Sequence, residues 1–251
     1  MPDPDIRIYD TLSVAARSLA EQIVEISERA ITARGRFTIA LSGGETPRIL
    51  YRLLATDEFA PRIEFAAWHA FFGDERCVPP DDADSNYHMA RLSFLDHVPI
   101  PLSNIYRMHG EVEPELAAKA YDDLLRDFFT RRGENRPRFD LVLLGMGADG
   151  HTASLFHGSP ALTTEDRWVL APYVEALGAH RMTLTANAIN AAARVFFLVG
   201  GSAKAEALAR ALKPSSSPDE ALPVQSIHPE GELRWYVDRN AARSLRPPQE
   251  L

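Results

Sequence analysis

The residues best equipped for chemistry sit in short glycine-bearing segments, each directly after a run of apolar residues. The longest, Gly145-Met146-Gly147-Ala148-Asp149-Gly150-His151-Thr152-Ala153-Ser154-Leu155-Phe156, follows Phe139-Asp140-Leu141-Val142-Leu143-Leu144. Gly145, Gly147 and Gly150 have the Gly-x-Gly-x-x-Gly spacing of a dinucleotide-binding turn. Such a turn opens a long helix and needs an acidic residue about 20 positions on, at the end of the next strand. Here Gly158 and Pro160 interrupt a helix begun near Gly150, and the acid at a strand end, Glu175, lies beyond the required place. The pattern predicts instead Asp149-Gly150-His151 at a helix N-terminus. Partial positive charge there keeps an imidazole neutral and able to take a proton, as a general base must. Asp149 either orients that ring or caps the helix. Taken alone, His151 reads as a helix-end histidine with no chemical task; its neighbours in the fold decide the matter.

Ser42-Gly43-Gly44-Glu45-Thr46-Pro47 has two glycines that free backbone N–H groups to turn inward, and a helix start that favours an anion. It suits a phosphate and equally suits an ordinary strand-to-helix turn. It lacks the lysine and spacing of a nucleoside-triphosphate loop. Gly73-Asp74-Glu75-Arg76-Cys77 places two carboxylates and a guanidinium past an apolar strand. These are either solvated charges or a site in which Arg76 offers forked donors to a carboxylate, phosphate or oxyanion. Cys77 reads as an inert, buried thiol, because Asp74 and Glu75 offset the charge of Arg76. Arg181 and Lys204 add two cations, each of which also reads as a surface charge. Lys204, in Gly200-Gly201-Ser202-Ala203-Lys204, is placed like a phosphate anchor. The histidines show no metal-ligand spacing and the Gly-x-Ser-x-Gly elbow is absent, so neither a metal, a cofactor nor a serine nucleophile is expected.

These segments need elements to hold them. Leu12, Ala16, Leu19, Ile23, Ile26 and Ala30 recur at helical steps, and Gly35 ends that helix. Apolar runs at Phe37–Leu41, Ile63–Phe72, Phe139–Leu144, Trp168–Tyr173 and Val195–Val199 alternate with helical stretches at Arg48–Leu54, Ser85–Leu95, Leu116–Phe129 and Ala203–Leu212. Strands buried on both faces and separated by helices predict an α/β fold with a mostly parallel sheet. Ligands bind beyond the carboxyl ends of such strands, so the segments at Ser42–Pro47, Gly73–Pro79, Gly145–Thr152 and Gly200–Lys204 should gather at one edge. Lys213–Glu220 reads as an exposed loop, and Arg243–Leu251 as a frayed tail.

The chain has 251 residues, 45% of them hydrophobic, enough for one sizeable domain spanning 1–251. A formal net charge of −8 argues against a nucleic-acid surface, so any anion must be met by local cations. One cysteine excludes an internal disulfide, which suits the cytoplasm. No signal-like start and no membrane-length apolar run is present, so no membrane partner is expected.

Together, Leu41-Ser42-Gly43-Gly44-Glu45-Thr46-Pro47, Gly73-Asp74-Glu75-Arg76-Cys77-Val78-Pro79 with Ser85-Asn86-Tyr87, Leu144–Phe156, and Arg181-Met182-Thr183 resemble the 6-phosphogluconolactonase family in order and spacing. The likeness runs from the first helix to Trp235-Tyr236-Val237-Asp238. It implies a three-layer α/β sandwich with a mostly parallel, Rossmann-like sheet, similar to that of glucosamine-6-phosphate deaminase. It implies metal-independent hydrolysis of 6-phosphoglucono-1,5-lactone in the oxidative pentose phosphate pathway, by a monomer or weak homo-oligomer whose partner is the small sugar-phosphate lactone. On this reading His151 activates water, Asp149 supports it and Arg76 is a candidate donor to the oxyanion. Ser42, Gly43, Gly44, Thr46, Asp74, Arg181 and Lys204 bind substrate, with the division of the cations between phosphate and oxyanion left open. The deaminase shares the Gly-Gly-x-Thr-Pro and Asp-Gly-His segments but continues into Asn-Glu-Pro. Here Thr152-Ala153-Ser154-Leu155-Phe156 follows and no acid appears before Glu165, which favours the lactonase. His157 stands where the family often has proline. A non-catalytic sugar-phosphate sensor is the other alternative, and it would want an output module for which neither end has room.

Overall fold

The computed structural model of the chain describes residues 5–215, 217 and 220–245. In chain order its elements are β1 (Asp5–Tyr9), α1 (Leu12–Arg34), β2 (Phe37–Leu41), α2 (Glu45–Leu54), β3 (Trp68–Phe72), β4 (Asp74–Arg76), α3 (Asn86–Ser93) and α4 (Pro114–Thr130). They continue with β5 (Leu141–Leu144), β6 (Val169–Leu170), β7 (Tyr173–Val174), β8 (Ala179–Leu184), α5 (Ala186–Asn190), β9 (Arg194–Val199), α6 (Ala205–Ala211), β10 (Glu232–Asp238) and α7 (Arg239–Ala242). Helix α1 is capped at both ends, the second by the glycine that its sequence predicts. The Thr11 hydroxyl accepts the Val14 N–H, and Gly35 takes the left-handed conformation (φ 69°) that closes the last turn.

Six strands form one parallel sheet in the order β1-β10-β9-β5-β2-β3. Successive side chains point to opposite faces, and both faces are buried. Ile39 and Leu41 of β2, with Phe196 and Leu198 of β9, pack on the side of α1, α2 and α3. Ala40, Val195 and Phe197 face the other side, against α4 and the smaller sheet. The layers are therefore helix, sheet and helix, the three-layer α/β architecture expected. Strand β2 leads to β3 on one side, whereas β5 lies on its other side. The crevice between β2 and β5 is thus where the direction of winding reverses, the place at which open α/β sheets bind ligands.

A second sheet, β4-β8-β6 with β7 also paired to β8, is antiparallel. It corrects one expectation: the run Trp168–Tyr173 joins this small sheet as two short strands rather than the parallel one. Pro172 interrupts it, lacking an N–H for the ladder, and its carbonyl accepts the Arg181 N–H. Of Ile63–Phe72 only the last five residues are strand, preceded by short 3₁₀ turns. Strands β1 and β10, which pair at one edge of the sheet, were not anticipated. The expected tail is split: Leu245 packs against the core, and the residues beyond it lie outside those described. The exposed loop at 213–220 is likewise only partly within the described residues.

Candidate active site

A cleft of about 380 Å³ opens at the winding reversal, lined by the segments that follow β2, β5 and β9. The first segment is pinned at its base by Tyr51 of α2, whose hydroxyl accepts the Ser42 N–H (2.9 Å) and donates to the Ser42 carbonyl (2.7 Å). Gly43 must be glycine: a Cβ there would lie 1.8 Å from Asn86 Oδ1. Gly44 takes φ 98° and begins α2 without a side-chain cap. The first-turn N–H groups of that helix therefore face the cleft with no protein cap, as an anion site requires. Ser42, Gly43, Gly44 and Thr46 all line the cleft.

The segment after β5 is a tight turn, not a helix start. Gly147 donates to the His151 carbonyl (2.8 Å) and Gly150 to the Gly147 carbonyl (3.1 Å), while the Thr152 hydroxyl donates to the Gly145 carbonyl (2.8 Å). Gly150 takes φ 84°, and Ala153, alone among described non-glycine residues, also has positive φ (46°). The expected helix start is therefore corrected, and the glycines here serve local closeness of the chain to itself. At Gly147 a Cβ would meet His151 Nδ1 at 2.2 Å and Asp149 Oδ1 at 2.3 Å. With no helix behind it, the uncharged state expected of His151 cannot come from a helix terminus, nor can Asp149 cap one.

Asp149 does orient the ring. Its Oδ1 accepts His151 Nδ1–H at 2.6 Å and the His151 backbone N–H at 3.2 Å. A carboxylate only accepts, so Nδ1 carries a proton, and in the neutral ring it is Nε2 that has the lone pair. Phe156 stacks on the other side of the imidazole, with ring centroids 4.5 Å apart. Partial burial works against the charge of Asp149, but the charge and hydrogen bonds of His151 outweigh it and hold this carboxyl below the usual range.

The segment after β3 is not a solvated charge cluster. Glu75 is buried and accepts four hydrogen bonds, from the backbone N–H groups of Arg76, Asn86 and Tyr87 and the Ser85 hydroxyl. It fastens the start of α3. Asp74 lines the cleft, and Ser154 and Asn86 donate to it. Burial raises its pKa, against the opposing pull of the Ser154 hydrogen bond and of the Arg76, His151 and Arg181 charges. Arg76 lines the cleft and is held by the Asp84 carbonyl. Arg181 stands opposite Arg76 in the β4–β8 register, just outside the cleft wall. Burial, and then the facing charge of Arg76, lower the Arg181 pKa. Cys77 is half-buried and its thiol is pushed up by burial, as expected of an inert cysteine.

Lys204 completes the cleft from the segment after β9. That segment is anchored by Asp238, which accepts the N–H of Gly201 (3.0 Å) and of Ala241 (2.7 Å). Among the described residues, none of Arg76, Arg181 and Lys204 forms an ion pair with a carboxylate. An acidic chain thus presents Arg76, Lys204, free helix amides and an oriented imidazole to one concavity, with Arg181 behind its wall. Sequence reasoning missed Tyr51 altogether, and Thr152 and Ser154 were visible only as members of the Leu144–Phe156 motif, with no role of their own. Asn86 was visible only as part of the motif Ser85-Asn86-Tyr87.

The family model described as glucosamine-6-phosphate isomerases/6-phosphogluconolactonase matches residues 10–235. The chain is 44% identical to a 6-phosphogluconolactonase of Synechocystis sp. over 220 residues, 87% of this chain and 89% of that one. It is 43% identical to a 6-phosphogluconolactonase of Nostoc sp. over 237 residues, covering 94% and 95% of the two chains. Its fold superposes on the structure of 6-phosphogluconolactonase from Trypanosoma cruzi with a TM-score of 0.85 at 32% identity, over 97% of both chains.

Proposed function

Because the chain belongs to the glucosamine-6-phosphate isomerase/6-phosphogluconolactonase family, we propose that its cleft hydrolyses 6-phospho-D-glucono-1,5-lactone to 6-phospho-D-gluconate, the lactonase step of the oxidative pentose phosphate pathway. One observation carries this reading: the Asp149-His151 pair opens onto the same cleft as Lys204 and the uncapped start of α2. A base for water and a cradle for a distant anion are what a phosphorylated ester needs.

His151 Nε2 takes a proton from water, and the hydroxide attacks the lactone carbonyl. The charge that develops on the ring faces the Asp149 carboxylate. Arg76 meets the tetrahedral oxyanion with a preorganised donor. His151 then returns its proton to the ring oxygen as the C–O bond breaks. The amides of Ser42, Gly43 and Gly44, with Lys204, hold the phosphate; Thr46 completes that wall and Arg181 adds charge behind Arg76. Binding energy spent on the phosphate positions the carbonyl against the base. The reading also places the chain in the cytoplasm as a monomer or weak homo-oligomer; among the described residues no helix is long and apolar enough to cross a membrane.

A pH-stat assay with freshly made lactone, corrected for spontaneous hydrolysis, tests the activity, with a glucosamine-6-phosphate deamination assay beside it. Lactone hydrolysis without deamination is the expected result, and the reverse overturns the reading. In His151→Ala, kcat should fall at least about 100-fold, the contribution of a general base, while binding of 6-phosphogluconate is kept. Equal losses in both would make His151 a binding residue.

A further inference from the structure

Among the described residues five carboxylates are buried: Asp74, Glu75, Asp122, Asp140 and Asp238. A buried charge is expensive unless donors satisfy it, and four of the five are well satisfied by the protein. Glu75 accepts four hydrogen bonds. Asp122 accepts from Trp168 N–H, Val169 N–H and Arg126. Asp140 accepts from the Thr38 N–H and hydroxyl and from Arg34. Asp238 takes the N–H groups of Gly201 and Ala241. Each of these four ties segments of the fold together.

Asp74 is held by two side chains rather than by backbone N–H groups. Like Asp238 it is reached by only two protein donors, here one on each oxygen: Asn86 Nδ2 to Oδ1 at 3.2 Å and the Ser154 hydroxyl to Oδ2 at 2.8 Å. A carboxylate has about four acceptor positions, so half remain for another donor. Of the five, Asp74 alone lines the cleft. Its two clamps are themselves held: Asn86 Nδ2 also donates to the Asp74 carbonyl (3.0 Å), and the Ser154 N–H donates to the Thr183 hydroxyl (3.2 Å). Ser154, Asn86 and Thr183 are all buried. Such a carboxylate repels a phosphate and attracts a hydroxyl, and a sugar lactone supplies hydroxyls at its reactive end.

Resting on the lactonase reading above, we propose that Asp74 accepts a hydrogen bond from a ring hydroxyl of the phosphorylated lactone, and that Asn86 and Ser154 are positioning residues that aim it. Asp74 thereby separates the cleft into a sugar half near His151 and an anion half near Gly43, Gly44 and Lys204. The enzyme then distinguishes hydroxylated sugar lactones from phosphorylated lactones lacking that hydroxyl.

The test compares kcat/KM for freshly made 6-phosphogluconolactone and its monodeoxy analogues, in the native enzyme and in Ser154→Ala, Asn86→Ala and Asp74→Asn. The native enzyme should disfavour one monodeoxy lactone by about 10- to 100-fold, the effect of losing a hydrogen bond to a charged group. In Ser154→Ala and Asn86→Ala the parent lactone should lose about 10-fold while that deoxy lactone loses little, so the discrimination shrinks toward one. A merely structural role would lower both substrates alike and leave the ratio unchanged, which overturns the proposal. So does a native enzyme that treats every monodeoxy lactone like the parent, a measurement that requires no variant to fold. If the native enzyme hydrolyses no phosphorylated lactone, the lactonase reading itself has failed, and this inference falls with it.

Discussion

Gly147→Ala isolates the geometry of the catalytic pair, because it adds a methyl group without replacing either member of the pair. A Cβ at 147 would lie 2.2 Å from His151 Nδ1, 2.3 Å from Asp149 Oδ1 and 2.4 Å from His151 Cε1, whereas ordinary contact begins at 3.4 Å. The imidazole must therefore retreat by about 1 Å, a displacement that costs about 100-fold in rate where a reacting group has to be aimed. Gly147 does not have positive φ, so alanine brings no left-handed strain of its own. The His151 side chain is 34% exposed and can swing outward, so the fold should be little disturbed. The expected result in a pH-stat assay is a kcat lower by about 100-fold, with KM and melting temperature close to native. A kcat within about threefold of native would show that the ring position seen here is not the one that activates water, and would refute the mechanism built on it.

Three further outcomes follow from the same geometry. Asp149→Asn should lower kcat by about 10- to 100-fold with KM little changed, since an amide can still accept from Nδ1 but no longer faces the ring with a full charge; an unchanged kcat in steady-state assays would make Asp149 dispensable. Lys204→Ala should raise KM about 10-fold while kcat stays within about threefold, and an unchanged KM would remove Lys204 from the phosphate anchor. His69, which does not line the cleft, is pushed down to about 4, first by burial and then by the charges of Arg132 and Arg36. The unfolded chain therefore binds more protons than the folded one between pH 6.5 and about 4, so stability is full above that window and falls as the pH drops through it. For a half-buried ring the loss is about 1–2 kcal/mol, and urea midpoints should show a flatter acid limb in His69→Gln; an identical limb would refute the assignment.

The parts of the fold legible in the sequence were those governed by nearest-neighbour patterns. Strands β2, β5 and β9 are short apolar runs buried on both faces, and a glycine follows each within two residues, so their ends announced the cleft. Helix α1 declared itself by spacing and by Gly35. The small sheet did not, because β4 is charged and β6 and β7 have two residues each, too few to show a period. The burial of Asp74 was equally hidden. Its partners Asn86 and Ser154 are 12 and 80 residues away, and nothing local distinguishes an exposed Asp-Glu-Arg from one folded under two other segments.

The opening ambiguity of the Gly145–Gly150 segment resolves by the same logic. Spacing alone cannot tell glycines that admit a pyrophosphate from glycines that admit a neighbouring side chain, since both demand a missing Cβ. Here the neighbour is the chain's own imidazole at Gly147, and the side chain of Leu222 at Gly150. Likewise, Arg76 and Arg181 stand directly opposite each other in an antiparallel pair, an arrangement that weakens a sheet. Glu75, beside them, spends its charge on the backbone of α3 rather than on either guanidinium. Among the described residues neither arginine has a carboxylate partner, a shortage repeated at Lys204; Arg76, Lys204 and the uncapped start of α2 line the cleft, and this is the pattern that the proposed phosphorylated ligand requires.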